Sequence, residues 1–249
     1  RGDDMAGEGR VRAEWNRALL EDAVAPTYAR MLARLVKAGQ AEDTDWYYEQ
    51  WPSVEALAEP WAGLARRVYM ECAQLAVLRS EVGGGRWVTP EQARYLGKEC
   101  EWYEDVRGLL LAQGETLTEF PPKILRGFAS AKIPLCHVTP SWLRAMLRTY
   151  QTISYLQNST ARSIPILQFC LSDMVLGSPV GTDGAELYQQ LCGLAIVAVV
   201  DKSIQTFGRK ADKIHLFVPT EDEAKLLQRI GQRLVDPTLP PAVLEHLRS

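Results

Sequence analysis

Ala195-Ile196-Val197-Ala198-Val199-Val200-Asp201-Lys202-Ser203-Ile204-Gln205-Thr206-Phe207 is the stretch that decides the fold class. Its first six residues are an unbroken apolar run, the pattern of a buried strand. Asp201-Lys202 is placed to turn the chain into a second strand over Ser203–Phe207. Ile214-His215-Leu216-Phe217-Val218 offers a third, so the region reads as a small antiparallel sheet. Ahead of it, Gly177-Ser178-Pro179 and Asp183-Gly184 are turn chemistry. Behind it, Thr220 and Glu223 form a capping box before Leu226, Leu227, Ile230 and Leu234, and a last short helix follows Pro240-Pro241.

Helical periodicity dominates the first half of the chain. Trp15, Leu19 and Ala23 recur at four-residue steps and predict a helix with that stripe buried. Pro26 fits the first turn of a second helix, which carries Tyr28, Met31, Leu32, Leu35 and Val36 and ends at Gly39. Residues 39–60 read as a loop with a short helical turn. Leu57, Trp61, Leu64, Val68, Cys72, Leu75 and Leu78 line one face of the clearest helix, which Gly83-Gly84-Gly85 stops. Arg86-Trp87-Val88 is a strand candidate, 101–113 is a helix closed by Gly114, and Pro121-Pro122 opens another through Phe128. Thr139-Pro140 pairs an N-cap with a first-turn proline ahead of Trp142, Leu143, Met146 and Leu147. A further helix covers about 161–175. The fold class is therefore α+β, predominantly helical with a small antiparallel sheet in the C-terminal third. Residues 1–160 form a helical region and 161–249 a smaller α+β region.

The chain has 249 residues, 47% hydrophobic and 24% charged, enough to build a core without staples. A formal net charge of −3 argues against nucleic acid as a partner. No window approaches a membrane span, and no positively charged start followed by an apolar stretch marks a signal peptide. The five cysteines are widely spaced, without a CxxC, and read as small core residues in a reducing compartment. The start at Arg1, followed by Gly2, Asp3, Asp4, Gly7 and Gly9, reads as an internal point of a longer polypeptide.

Catalytic patterns were expected to leave local marks, and none is found. His137, His215 and His246 lie in separate segments, with no HExxH or acid–cysteine grouping. No P-loop and no GxSxG elbow occur. Gly83-Gly84-Gly85 follows a helix and reads as a helix–strand connector rather than a phosphate loop. Gly181-Thr182-Asp183-Gly184 is faintly similar to the Asp-Gly element of Hsp90-type ATP sites. The helical Asn and the glycine-rich lid of such sites are missing, so it reads as a turn. Asp3, Asp4, Asp43 and Asp45 lie in polar, solvated stretches, and nothing in the sequence argues for the burial that general acid–base work calls for. No catalytic residue, cofactor or metal is assigned.

Charge is segregated instead. Residues 39–60 hold six acids (Glu42, Asp43, Asp45, Glu49, Glu55, Glu59) and no Lys or Arg. Residues 121–172 hold six bases (Lys123, Arg126, Lys132, Arg144, Arg148, Arg162) and no acid. Trp46, Tyr47, Tyr48 and Trp51 fall in the acidic stretch. The two stretches face each other within the fold, or they are partner surfaces, or the aromatics are core and the charges their solvated backs. Trp46, Tyr47, Tyr48, Trp51, Arg144 and Arg148 are the candidate protein-interaction residues.

An ordered series of short motifs resembles the sacsin family. Arg1-Gly2-Asp3-Asp4-Met5, Arg12, Glu14-Trp15-Asn16 and Leu19-Leu20-Glu21-Asp22 through Ala25-Pro26 resemble the segment that follows the Hsp90-like ATPase fold in sacsin repeats. Tyr47-Tyr48 through Trp51-Pro52, Pro60-Trp61, Gly85-Arg86-Trp87-Val88-Thr89-Pro90 and Val138-Thr139-Pro140-Ser141-Trp142-Leu143-Arg144 look like successive elements of the same family. Leu171-Ser172-Asp173, Leu191-Cys192-Gly193-Leu194 and Phe207 continue the series. Ala195–Lys202 departs from it, replacing a proline-containing run and an Asp-Gly turn. The resemblance implies a non-catalytic structural or interaction module of a large, cytoplasmic, chaperone-associated scaffold. It also implies an Hsp90-like nucleotide-binding domain upstream, and protein clients or other domains of the same chain as partners. The alternatives are a generic helical protein-binding module or part of a weak ATPase.

Overall fold

In the computed structural model the described residues are 3–150, 154–157, 160–175, 190–207, 216–227, 234–237, 239 and 244. The architecture is α+β and helix-dominated, with two antiparallel strand pairs and a three-stranded parallel sheet. Packing divides the chain into Arg1–Leu96 with Gly114–His137, and Gly97–Gln113 with Val138–Ser249. The boundary expected near residue 160 falls inside the second unit.

In the first unit, α1 (Asp3–Leu19), a π-helical segment (Leu20–Val24) and α2 (Ala25–Lys37) form one continuous helical run. Pro26 does open α2, as its sequence position suggests, but the chain does not break there. Proline has no N–H to donate and its ring crowds the carbonyl four residues back. The π winding resolves this: the Ala25 N–H bonds Leu20 O, and the chain passes into α2. Ala25, Ala29 and Leu32 are buried and α2 packs on α4 (Trp61–Cys72).

The expected burial of the Trp15 stripe is corrected by the structure. Trp15 is 68% exposed, Leu19 48% and Val11 65%, and every described side chain from 9 to 19 is exposed. Periodicity marks one face as apolar; it does not supply the neighbour that covers it. Trp15→Ala is accordingly expected to change stability in dilute solution by no more than about 0.5 kcal/mol, the usual range for surface positions. A drop of several degrees in the melting temperature would show Trp15 to be core.

α3 (Thr44–Glu49) starts where Asp43 Oδ1 accepts the Trp46 N–H at 3.1 Å. α4 buries Ala62, Ala65, Val68, Tyr69 and Cys72. The helix ends at Cys72, short of the Leu75 and Leu78 expected on it, and Leu57 lies before its start. β1 (Leu78–Arg79) instead pairs antiparallel with β2 (Trp87–Val88), so the triple glycine joins two strands rather than a helix and a strand. Val77 N–H to Val88 O (3.1 Å) and Ser80 N–H to Arg86 O (2.8 Å) extend that hairpin. β3 (Arg94–Tyr95) is the centre of the parallel sheet. α5 (Tyr103–Ala112), in the connection that follows, belongs to the second unit. β4 (Leu117–Thr118), α6 (Pro122–Ser130) and β5 (Cys136–His137) complete the first unit, with strand order β4-β3-β5.

Gly127 of α6 lies against the Tyr69 ring, where an added Cβ would sit 2.0 Å from Cζ. Tyr69 cannot swing away, because its ring packs edge-on against Phe128 (5.0 Å) and tilted against Trp51 (5.2 Å). Alanine in place of a helical glycine ordinarily stabilises by up to about 1 kcal/mol. Here Gly127→Ala is expected to destabilise by about 1–3 kcal/mol through overpacking. A raised urea midpoint would overturn that.

The second unit is organised on α9 (Ser163–Val175), preceded by α7 (Pro140–Leu147) and α8 (Ser154–Gln157). Ile166, Leu167, Phe169, Cys170 and Leu171 are all buried, as expected of a helix that is apolar on most sides. α5 and α7 pack on α9 with Val106, Leu109 and Leu110, and with Leu143 and Leu147, fully buried. β6 (Ala195–Ala198) is buried at all four positions and pairs antiparallel with β7 (Ile204–Thr206). Asp201 shapes the turn between them: its Oδ1 accepts the Ser203 N–H at 2.9 Å and the hydroxyl at 2.7 Å.

The segment beside β6, on the edge away from β7, is Leu234–Asp236. Leu234, read from sequence as the end of a helical stripe, runs there with Val235. Val200 N–H bonds Leu234 O at 2.9 Å and Asp236 N–H bonds Ala198 O at 3.0 Å. Phe217 reaches Leu234 through a single bridge, while Ile214 and His215 lie outside the described residues. The Thr220–Glu223 capping box forms, and α10 (Glu221–Leu226) is short. Gly177-Ser178-Pro179, Gly181–Gly184, Ile230 and Pro240-Pro241 also lie outside the described residues.

Candidate functional site

The aromatic residues of the acidic stretch divide by position on α3 and in the bend that follows it. Tyr47, Tyr48 and Trp51 are 0%, 1% and 2% exposed, whereas Trp46 is 43% exposed. The three buried rings belong to an edge-to-face cluster. Tyr47 meets Trp87 at 5.0 Å, Trp51 meets Phe128 at 5.7 Å, and Tyr48 meets Phe120 at 6.5 Å. Such pairs add about 0.5–1.5 kcal/mol beyond area burial. As surface residues, Tyr47, Tyr48 and Trp51 are therefore corrected to core, because the faces of α2, α4 and α6 close over them.

Tyrosine rather than phenylalanine is used because the core abuts loops with backbone groups to satisfy. Tyr47 donates to Val77 O (3.2 Å), Tyr69 to Pro52 O (3.0 Å) and Tyr28 to Gln50 O (2.5 Å). The Tyr48 hydroxyl accepts the Arg79 N–H at 3.1 Å. Burial pushes the Tyr48 phenol up to about 12 and those of Tyr47 and Tyr69 higher still, so none ionises near neutral pH. Burial likewise pushes the Cys72 and Cys170 thiols up to about 12, the character of core cysteines rather than nucleophiles.

The opposed charge runs meet in part. Within the first unit, Glu55 pairs with Arg126 at 3.2 Å, and Lys123 Nζ donates to Glu49 O at 3.4 Å. Desolvation lowers the Lys123 pKa while Glu49 opposes the shift. Both partners of the Glu55–Arg126 pair are more than half exposed, so the contact is worth about 0–1 kcal/mol. Glu59 is bound to Arg66 of its own helix neighbourhood.

Arg144 and Arg148 do other work, inside the second unit. Arg144 is 4% exposed and grips Asp173 in a two-pronged pair, at 2.7 and 3.1 Å, while also donating to Cys170 O. Arg148, the C-cap of α7 one turn later, is exposed and donates to Gln190 O. The two arginines thus hold the end of α9 and the approach to β6 from a single helix face. Arg144 is corrected from surface residue to buried structural clamp. Four-residue spacing revealed the shared face; the acceptors 26 to 42 positions away were not readable.

Two surfaces not singled out from sequence remain. One is a polar cleft of about 500 Å³ in the first unit, lined by Glu42, Thr44, Arg79, Ser80, Glu81, Gly84, Gly85 and Glu119. Arg79 is fixed there by a 2.8 Å bond to Glu42 O. Gly85, at φ +95°, lets the chain cross over it; a Cβ would lie 2.6 Å from Arg79 Nε. The other is the apolar stripe of α1. Among the described residues no group of His, Cys, Asp and Glu has metal-binding geometry, and no helix is long and apolar enough to cross a membrane.

No family model matches the chain, and no solved structure matches it. Among curated proteins it is similar to human sacsin, 24% identical over 252 residues. That alignment covers 95% of this chain and about 5% of the length of sacsin. The likeness thus runs across both units, distant in identity but nearly complete in extent.

Proposed function

We propose that this chain is a non-catalytic structural and interaction module of a large sacsin-like, chaperone-associated scaffold. The observation that carries this is the likeness to human sacsin over 95% of the chain. In this reading it is coupled to an upstream Hsp90-like nucleotide-binding domain in a cytoplasmic protein and receives or transmits that domain's state. Its partners are protein clients or other domains of the same polypeptide. Its polar chemistry suits that role: tyrosine hydroxyls and the Arg144 guanidinium all serve backbone or internal carboxylate acceptors.

Two measurements test it. The 249-residue chain should slow the aggregation of a heat-denatured client at stoichiometric ratio. Calorimetric titration with Mg-ATP should give no heat of binding. Micromolar ATP affinity would sink the non-catalytic reading, and unaltered client aggregation would sink the chaperone link.

A further inference from the structure

We propose that the π turn at Leu20–Val24 is a positioning device: the extra residue it takes up turns the apolar stripe of α1 to the side of the helical run opposite the buried face of α2, and turns Arg17 toward Glu59. This goes beyond the scaffold reading and does not depend on it.

Val11, Trp15 and Leu19 stand at four-residue steps, hence on one helix face, and are 65%, 68% and 48% exposed. α2 is buried through Ala25, Ala29 and Leu32. Both sets lie on one continuous helical run, so the angle between them follows from the winding that joins them. An α-helix turns about 100° per residue. Counted back from Ala25 in unbroken α winding, the stripe would lie about 70° round from the buried face, on the flank of the first unit. The bond from Ala25 N–H to Leu20 O instead closes a turn one residue longer than an α turn. Everything upstream is thereby rotated by about 100°, and the stripe comes to lie about 170° from the buried face.

Arg17 is an independent mark of the same rotation. Unbroken α winding would set it about 90° from the buried face, and the π turn brings it within about 20°. That is the side on which α4 packs against α2, and Glu59 stands just before α4. The Glu59 carboxyl is held below the usual carboxylate range first by the hydrogen bond from Arg66 and, in smaller part, by the charge of Arg17. The cause of the π turn is local. Pro26 has no N–H to give, and in α winding its ring would crowd Asp22 O. None of residues 20–24 is buried, so no packed side chain there demands the wider turn.

Distances between paired nitroxide labels on the full chain, read by double electron–electron resonance, are the test. Cys100→Ser, Cys136→Ser and Cys192→Ser leave only the buried Cys72 and Cys170. One label sits at Met70→Cys, an exposed position of α4, and the other at Trp15→Cys or Arg17→Cys. The label at position 17 should lie nearer to position 70 than the label at position 15 does, by about 10 Å, the width of a helix. Pro26→Ala lets α winding return and should cut that difference to less than about 5 Å. Deleting Asp22 as well removes the extra residue and should bring the full difference back. Parent distances that are equal or reversed overturn the proposal, whatever the variants at the turn do. So does a difference that Pro26→Ala leaves unchanged, or one that the deletion fails to restore.

Discussion

Trp51→Ala is expected to destabilise the first unit by about 3–5 kcal/mol, the range for emptying a large aromatic from a packed core. Trp51 is 2% exposed and touches Tyr69, Phe128 and Tyr47 at centroid distances of 5.2, 5.7 and 6.2 Å. No neighbour can fill the space, because Tyr47 and Tyr69 are tethered through their hydroxyls to Val77 and Pro52 carbonyls. The cavity therefore persists and adds to the lost transfer energy. Urea unfolding followed by near-UV circular dichroism reads the effect. A loss below about 1 kcal/mol would place Trp51 outside the core.

Asp173→Ala is expected to cost about 3 kcal/mol, and Arg144→Met distinctly less. The asymmetry follows from burial. The Arg144 side chain is 5% exposed, so losing its carboxylate strands a cation away from water. The Asp173 side chain is 37% exposed and can be rehydrated when the guanidinium is gone. Arg144→Met also fills the site with an apolar side chain of similar length. The double variant should consequently be more stable than Asp173→Ala alone, which a double-mutant cycle by urea unfolding measures directly. Equal losses for the two single variants would show the pair to be a solvated surface contact instead.

These expectations bear on function through what they leave available. The residues that drew attention in sequence as binding candidates are mostly occupied: Tyr47, Tyr48 and Trp51 by the core, Arg144 by Asp173. Among the described residues of the first unit, the exposed apolar side chains include Trp46 on α3, Trp61 at the start of α4, and the Val11–Trp15–Leu19 stripe.

Sequence alone determined the elements whose instructions are local. Thr139 and Thr220 cap helices because the hydroxyl reaches an N–H three residues on. Pro122 and Pro140 sit in first turns where no N–H is needed, and Gly114 ends α5 in the left-handed region. The apolar run at Ala195–Ala198 is a strand buried on both faces, and Asp201-Lys202 turns it. The α+β class followed from these. Tertiary structure decided everything that depends on a distant neighbour. It sent Leu78 into a hairpin with Val88, placed Leu234 beside β6, and joined the 97–113 helix to the second unit. It also left Trp15 in the open while burying Trp51. Trp15 lies on an apolar helix face and Trp51 in the bend after α3, and a local pattern is the same whether or not another element packs against it. Burial is a property of the pair, and one partner's sequence position carries no record of the other's.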